Sequence, residues 1–160
     1  MIPQAHHAAQ PAPIGLHAHA PPAAVHVLTP ALPENIGIVR HALGGLADTL
    51  EWDAAAFEDV KVAVTEACGN VVAHAYDGDG PGLLEVEAWV DGGRHVVVAV
   101  RDEGQRLGRR RESPNRGMGL GLPLITALTE AVEFTRRGAR TEVRMTFRVD
   151  GAPPGRRARR

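Results

Sequence analysis

The sequence is poor in the features that would place it outside the cell, in a membrane or on a polyanion. With Cys68 as its only cysteine, the chain cannot form an internal disulfide, so packing has to hold the fold, as suits a reducing compartment. No apolar run reaches the roughly 18–20 residues that a membrane span needs. The N-terminus has neither the basic start nor the apolar segment of a secretion signal. An excess of one charge is missing too: 18 basic and 19 acidic side chains give a formal net charge of −1, which offers no general attraction to nucleic acid or membrane. No internal repeat is visible. These absences leave a cytoplasmic globular protein as the expectation, and an apolar content of 44% in 160 residues is enough for one core of ordinary size.

The composition divides the chain into three parts. Residues 1–22 are rich in Ala, Pro and His and carry too little large apolar surface to offset ordering, so a disordered tail is expected there. His6, His7, His17 and His19 lack acidic or cysteine neighbours and read as low complexity rather than as a metal site. Residues 23–150 form the expected folded domain, and 151–160 a basic disordered tail that begins at Gly151-Ala-Pro-Pro-Gly155. Arginines also crowd one internal stretch, at Arg106, Arg109, Arg110, Arg111 and Arg116.

Within the domain the periodicity predicts βααββαββ. A short edge strand covers 24–28. Pro33-Glu34-Asn35 opens a helix to about Leu50, with Ile36, Val39, Leu43, Leu46 and Leu50 on one face. Asp53 is a good N-cap for a second helix from Ala54 to Tyr76, with Phe57, Val60, Val64, Cys68, Val71 and Ala75 as its buried stripe. Strands over 83–90 and 95–100 flank the turn signal Asp91-Gly92-Gly93. After a polar loop comes a helix from Leu120 to Thr129, with Pro123 in its first turn. A hairpin of 131–136 and 141–149 around Gly138 closes the domain. The expected fold class is α+β: a two-layer sandwich of a mixed, mostly antiparallel sheet with helices on one face.

Three motifs carry chemistry. Glu66 and Asn70 stand four residues apart, so a carboxylate and an amide project from one helix face, bordered by Ala63, Ala73 and His74. An amide oxygen suits Mg²⁺, and a carboxylate beside it can take a proton from a hydroxyl. The same pair also reads as a solvated polar face. Asp102-Glu-Gly104 ends an apolar strand; the acid can accept from an exocyclic amine, and Gly104 admits a close approach. It also reads as an ordinary strand end. Gly117-Met-Gly119-Leu-Gly121 precedes a helix, where backbone N–H groups meet phosphate, or where a chain simply hinges. No strand leads into it, which argues against a Rossmann site. Cys68 falls on the apolar stripe and reads as a small buried hydrophobe.

In this order and spacing the motifs resemble the Bergerat-type ATP-binding domain of histidine kinases and gyrases, and most of all the anti-sigma-factor serine kinases. The stretch Thr65-Glu-Ala-Cys-Gly-Asn-Val-Val-Ala-His-Ala-Tyr76 is similar to that family's first box, and Gly119-Leu-Gly-Leu-Pro-Leu-Ile125 to its last glycine box. The resemblance spans residues 24–149 and implies ATP and Mg²⁺ as ligands. Asn70 would hold the metal, Asp102 read the adenine amine and Gly104 approach the base. Gly117, Gly119 and Leu120 would line the phosphates, and Thr141 would sit near the adenine. It also implies Glu66 as the catalytic residue that activates a serine of an anti-anti-sigma protein, a sigma factor as second partner, a homodimer, and Arg40 on a partner surface. One departure stands out: the family's second box reads Asp-x-Gly-x-Gly, and here Arg106 replaces the second glycine. It leaves open an ATP-binding module that sequesters proteins without transferring phosphate. A histidine-kinase catalytic domain is disfavoured, because the 50 or so residues before the helix that carries the first box hold only one amphipathic helix, too few for a four-helix platform.

Overall fold

A computed structural model describes residues 24–74, 80–104 and 121–150. The N-terminal and C-terminal tails, the second helix beyond His74, and the stretch holding Arg106, Gly117, Gly119 and Leu120 lie outside the described residues.

The elements follow the expected order: β1 (Val25–Pro30), α1 (Ile36–Thr49), α2 (Ala54–His74), β2 (Leu83–Asp91), β3 (His95–Asp102), α3 (Gly121–Leu128), β4 (Ala131–Arg137) and β5 (Arg140–Arg148). Pro33–Asn35 forms a separate 3-10 turn rather than the first turn of α1, so the helix starts at Ile36. The capping expectation for α2 holds: the backbone N–H of Ala56 donates to Asp53 Oδ1 at 2.9 Å, filling one of the helix's orphan donors. In the turn after β2, Gly92 (φ 61°) and Gly93 (φ 77°) both take the left-handed conformation that side chains resist.

The five strands form one sheet in the order β1-β2-β3-β5-β4. Every neighbouring pair is antiparallel, so the sheet is antiparallel throughout rather than mixed. Alternation along each strand sorts residues to two faces. Leu84, Val86 and Ala88 of β2, Val96, Val98 and Val100 of β3, and Met145 and Phe147 of β5 join one buried cluster. Val39, Leu43 and Leu46 of α1, Val60, Val64, Cys68 and Val71 of α2, and Ile125 of α3 belong to the same cluster, so the helices share one face of the sheet. Each large apolar side chain so buried contributes roughly 1.5–3 kcal/mol. The opposite face carries the smaller set Trp89, Val97 and Ala99, with the Arg144 guanidinium 5.7 Å from the Trp89 ring centre.

The buried arc of α2 is wider than the stripe read from its period. Ala63 and Ala67 are also buried, and Ala63 belongs to the core rather than bordering an open ligand face. The cause is position: α2 lies over the sheet and packs against α3 as well as α1, so neighbours enclose it on several sides.

Candidate functional site

Glu66 and Asn70 lie one turn apart on α2, both half-buried. The first residue of α3 meets them: a Cβ placed on Gly121 would lie 3.4 Å from Glu66 Oε2 and 3.5 Å from Asn70 Nδ2. Gly121 is itself buried. The last glycine motif and the first motif, some fifty residues apart in the chain, therefore touch at the N-terminus of a helix, where unpaired N–H groups and the helix dipole favour an anion. Sequence reading placed Gly117, Gly119 and Leu120 at this site and left out Gly121, the glycine the structure brings against the polar pair. The signal was present, since Gly121 closes the same motif.

Asp102 is the last residue of β3 and follows the alternation of Val96, Val98 and Val100, so its carboxylate shares the helix-covered side of the sheet. It is 9% exposed, and the Gly104 N–H donates to its Oδ1 at 2.9 Å. Burial pushes this carboxyl above the usual carboxylate range; the Gly104 hydrogen bond and the charge of Arg136 act against that shift without cancelling it. Gly104 is buried too. Thr141 pairs directly with Asp102 across β3 and β5, which puts its side chain on the same face and beside the acid. A buried acid with one internal donor and a neighbouring hydroxyl forms a small polar island at the end of an apolar layer, suited to a ligand with a donor edge.

A groove of about 720 Å³ lies between α1 and α2; Arg40, His41, Gly44, Lys61, Thr65 and Glu66 are among its lining residues. Arg40 is exposed on α1 at this groove. Cys68, on the opposite side of α2, has its thiol pushed up to about 12 by burial, so it stays protonated and unreactive.

The donor set fits magnesium. Glu66 and Asn70 offer hard oxygen atoms, and Gly121 leaves beside them a gap that a Cβ would enter.

The chain is similar to known proteins over most of its length. Residues 29–147 match the histidine kinase-like ATPase domain family. The chain is 37% identical over 126 residues to the serine-protein kinase RsbW of Halalkalibacterium halodurans, covering 71% of this chain and 76% of that protein. It is 32% identical over 140 residues to the serine-protein kinase RsbW of Bacillus subtilis strain 168, covering 79% and 86%. The crystal structure of the RsbU and RsbW domains of a Mycobacterium tuberculosis protein superposes with a TM-score of 0.62 at 22% identity; it covers 79% of this chain and only 32% of that longer one, and so supports the fold. The chain belongs to the histidine kinase-like ATPase domain family and, within it, to the serine-protein kinases of the RsbW kind.

Proposed function

We propose that the protein binds ATP with Mg²⁺ between α2, the end of β3 and the entry to α3, and transfers the terminal phosphate to a serine of an anti-anti-sigma protein. The observation that carries this reading is the meeting of Glu66 and Asn70 with Gly121 at the start of α3. Magnesium, when bound, would neutralise phosphate charge, and Asn70 is the residue that would hold it. Asp102 accepts a hydrogen bond from the adenine amine, with Gly104 and Thr141 completing the base end. Gly117, Gly119 and Leu120 line the phosphates together with Gly121. Glu66 takes the proton of the substrate hydroxyl as its oxygen bonds to the terminal phosphorus and ADP departs. Glu66 is also one of the residues lining the groove between α1 and α2, so a protein segment seated there would lie beside that carboxylate.

In this scheme phosphorylation releases the substrate protein, and the freed kinase holds a sigma factor away from polymerase, acting as a homodimer in the cytoplasm. No helix among the described residues is long and apolar enough to cross a membrane. The test is a purified sample with Mg·ATP and candidate anti-anti-sigma proteins, followed by labelled phosphate transfer. Asn70→Ala is expected to abolish nucleotide binding. Glu66→Ala is expected to retain binding and lose transfer by at least about a hundredfold, the size of a general-base contribution. Tight ATP binding without transfer to any candidate would replace the kinase reading with that of a sequestering module, and no binding would remove both.

A further inference from the structure

On the face of the sheet that the helices leave open, Arg101 is only 9% exposed at its side chain. Its Nη1 donates to Glu87 on β2 and its Nε to Glu142 on β5. Glu85 Oε2 lies 3.7 Å away. A second ring of arginines holds these acids in turn: Arg140 donates to Glu85 at 2.7 Å and Arg144 to Glu142 at 2.9 Å. One guanidinium therefore clamps β3 to both of its neighbours. Apolar side chains at this spot would hold the strands at lower desolvation cost and tolerate small slips. A planar fork committed to carboxylates on opposite strands accepts one register and one spacing.

The row that Arg101 occupies is next to the row that matters for a ligand. Arg101 pairs with Glu85 and Glu142, and the following residue, Asp102, pairs with Leu84 and Thr141. Asp102 is the last residue of its strand, so the ladder supports the Asp102–Thr141 pair from one side only. That support is the Arg101 row. Because successive side chains alternate, the clamp lies on the outer face directly behind a pair that points inward.

We propose that Arg101 is a positioning residue for the adenine end of the pocket: by clamping Glu87 and Glu142 on the outer face, it sets the spacing between the Asp102 carboxylate and the Thr141 hydroxyl on the inner face. The proposal rests on the nucleotide reading above. The same acids invite a rival use as a cation site, since His26, Glu85 and Glu87 bring ligand atoms within 4.8 Å of one another. Arg140 and Arg101 already neutralise the two carboxylates, so a cation would compete with two fixed guanidinium groups, and the clamp is the better account.

The experiment measures the affinities of Mg·ATP and Mg·GTP for the full chain, by competition against a fluorescent ATP analogue, together with thermal melts. GTP carries a carbonyl where adenine carries its amine, so the ratio of the two affinities reports on Asp102 and is independent of the fraction of folded protein. Arg101→Met is expected to narrow that ratio about tenfold, the scale of a sub-ångström misplacement, and Arg101→Lys, which keeps the charge without the fork, to narrow it less. Glu142→Gln leaves the shape of the network, narrows the ratio in the same direction, and decides the matter if Arg101→Met does not fold. Val97→Ala, on the same outer face, is expected to lower the melting temperature and leave the ratio alone. Wild-type protein that binds no ATP overturns the nucleotide reading and this proposal with it. Wild-type binding with an unchanged ratio in Arg101→Met and Glu142→Gln, or an equal fall in Val97→Ala, overturns the positioning role alone.

Discussion

At the scale of single residues, two neighbouring acids on opposite faces of the sheet respond to pH with opposite signs. Burial raises the Asp102 carboxyl above its usual range, so the folded chain holds that proton more tightly than the unfolded chain does. Its contribution to stability is fully present below about pH 4 and is lost as the pH rises through the raised value. Ionised Asp102 thus costs stability at neutral pH. Asp102→Asn is expected to leave the ligand-free protein as stable as wild type or slightly more so at pH 7, and to weaken ATP binding at least tenfold, about 1.4 kcal/mol. Melting curves at several pH values and a nucleotide titration check both halves. Glu142 behaves the other way. Burial raises it, but the hydrogen bond and charge of Arg101, aided by Arg144, outweigh burial and lower it overall. Its contribution is present above about pH 4 and is lost as the pH falls through the lowered value, so Glu142→Gln should be the less stable protein at pH 7 and match wild type in acid.

At the scale of elements, α2 does most to join fold and site, and each of its ends gives a prediction. Removing its cap by Asp53→Ala should cost about 1 kcal/mol in chemical denaturation and leave nucleotide affinity unchanged. In the C-terminal half of α2 lies the contact with α3. Gly121→Ala would set a methyl group at ordinary contact distance from Glu66 and Asn70. Gly121→Val would overfill that space at a cost of about 1–3 kcal/mol and should weaken nucleotide binding more than the alanine variant, in a titration run beside a melt. The elements were legible in the sequence because their signals are local: the stripe Val60, Val64, Cys68 and Val71, the apolar run of β3, and the Asp53 cap all act within a few residues. What was not legible depends on tertiary placement. Ala63 reads as the rim of a ligand face until α2 is seen enclosed by sheet and helices. Pro33–Asn35 reads as helix until the 3-10 turn separates it from α1. The Arg101 clamp joins residues 14 and 41 positions apart, and only the strand register brings them together.

At the scale of the whole molecule, one sheet has two faces with separate tasks. The inner face carries the core and, where that layer ends, Asp102 and Thr141; the outer face carries the ion network that fixes the strands behind them. The chain's membership in the histidine kinase-like ATPase domain family rests on most of its length, whereas the proposed pocket requires three segments to meet. The most direct test of that meeting is a titration of isotope-labelled full-length protein with Mg·ATP, followed by the amide signals of residues 66, 70, 102, 104, 121 and 141, including the side-chain amide of Asn70. A single nucleotide pocket predicts that all of them shift with one common dissociation constant. Shifts confined to one of the segments, or different constants for α2 and the end of β3, would contradict it.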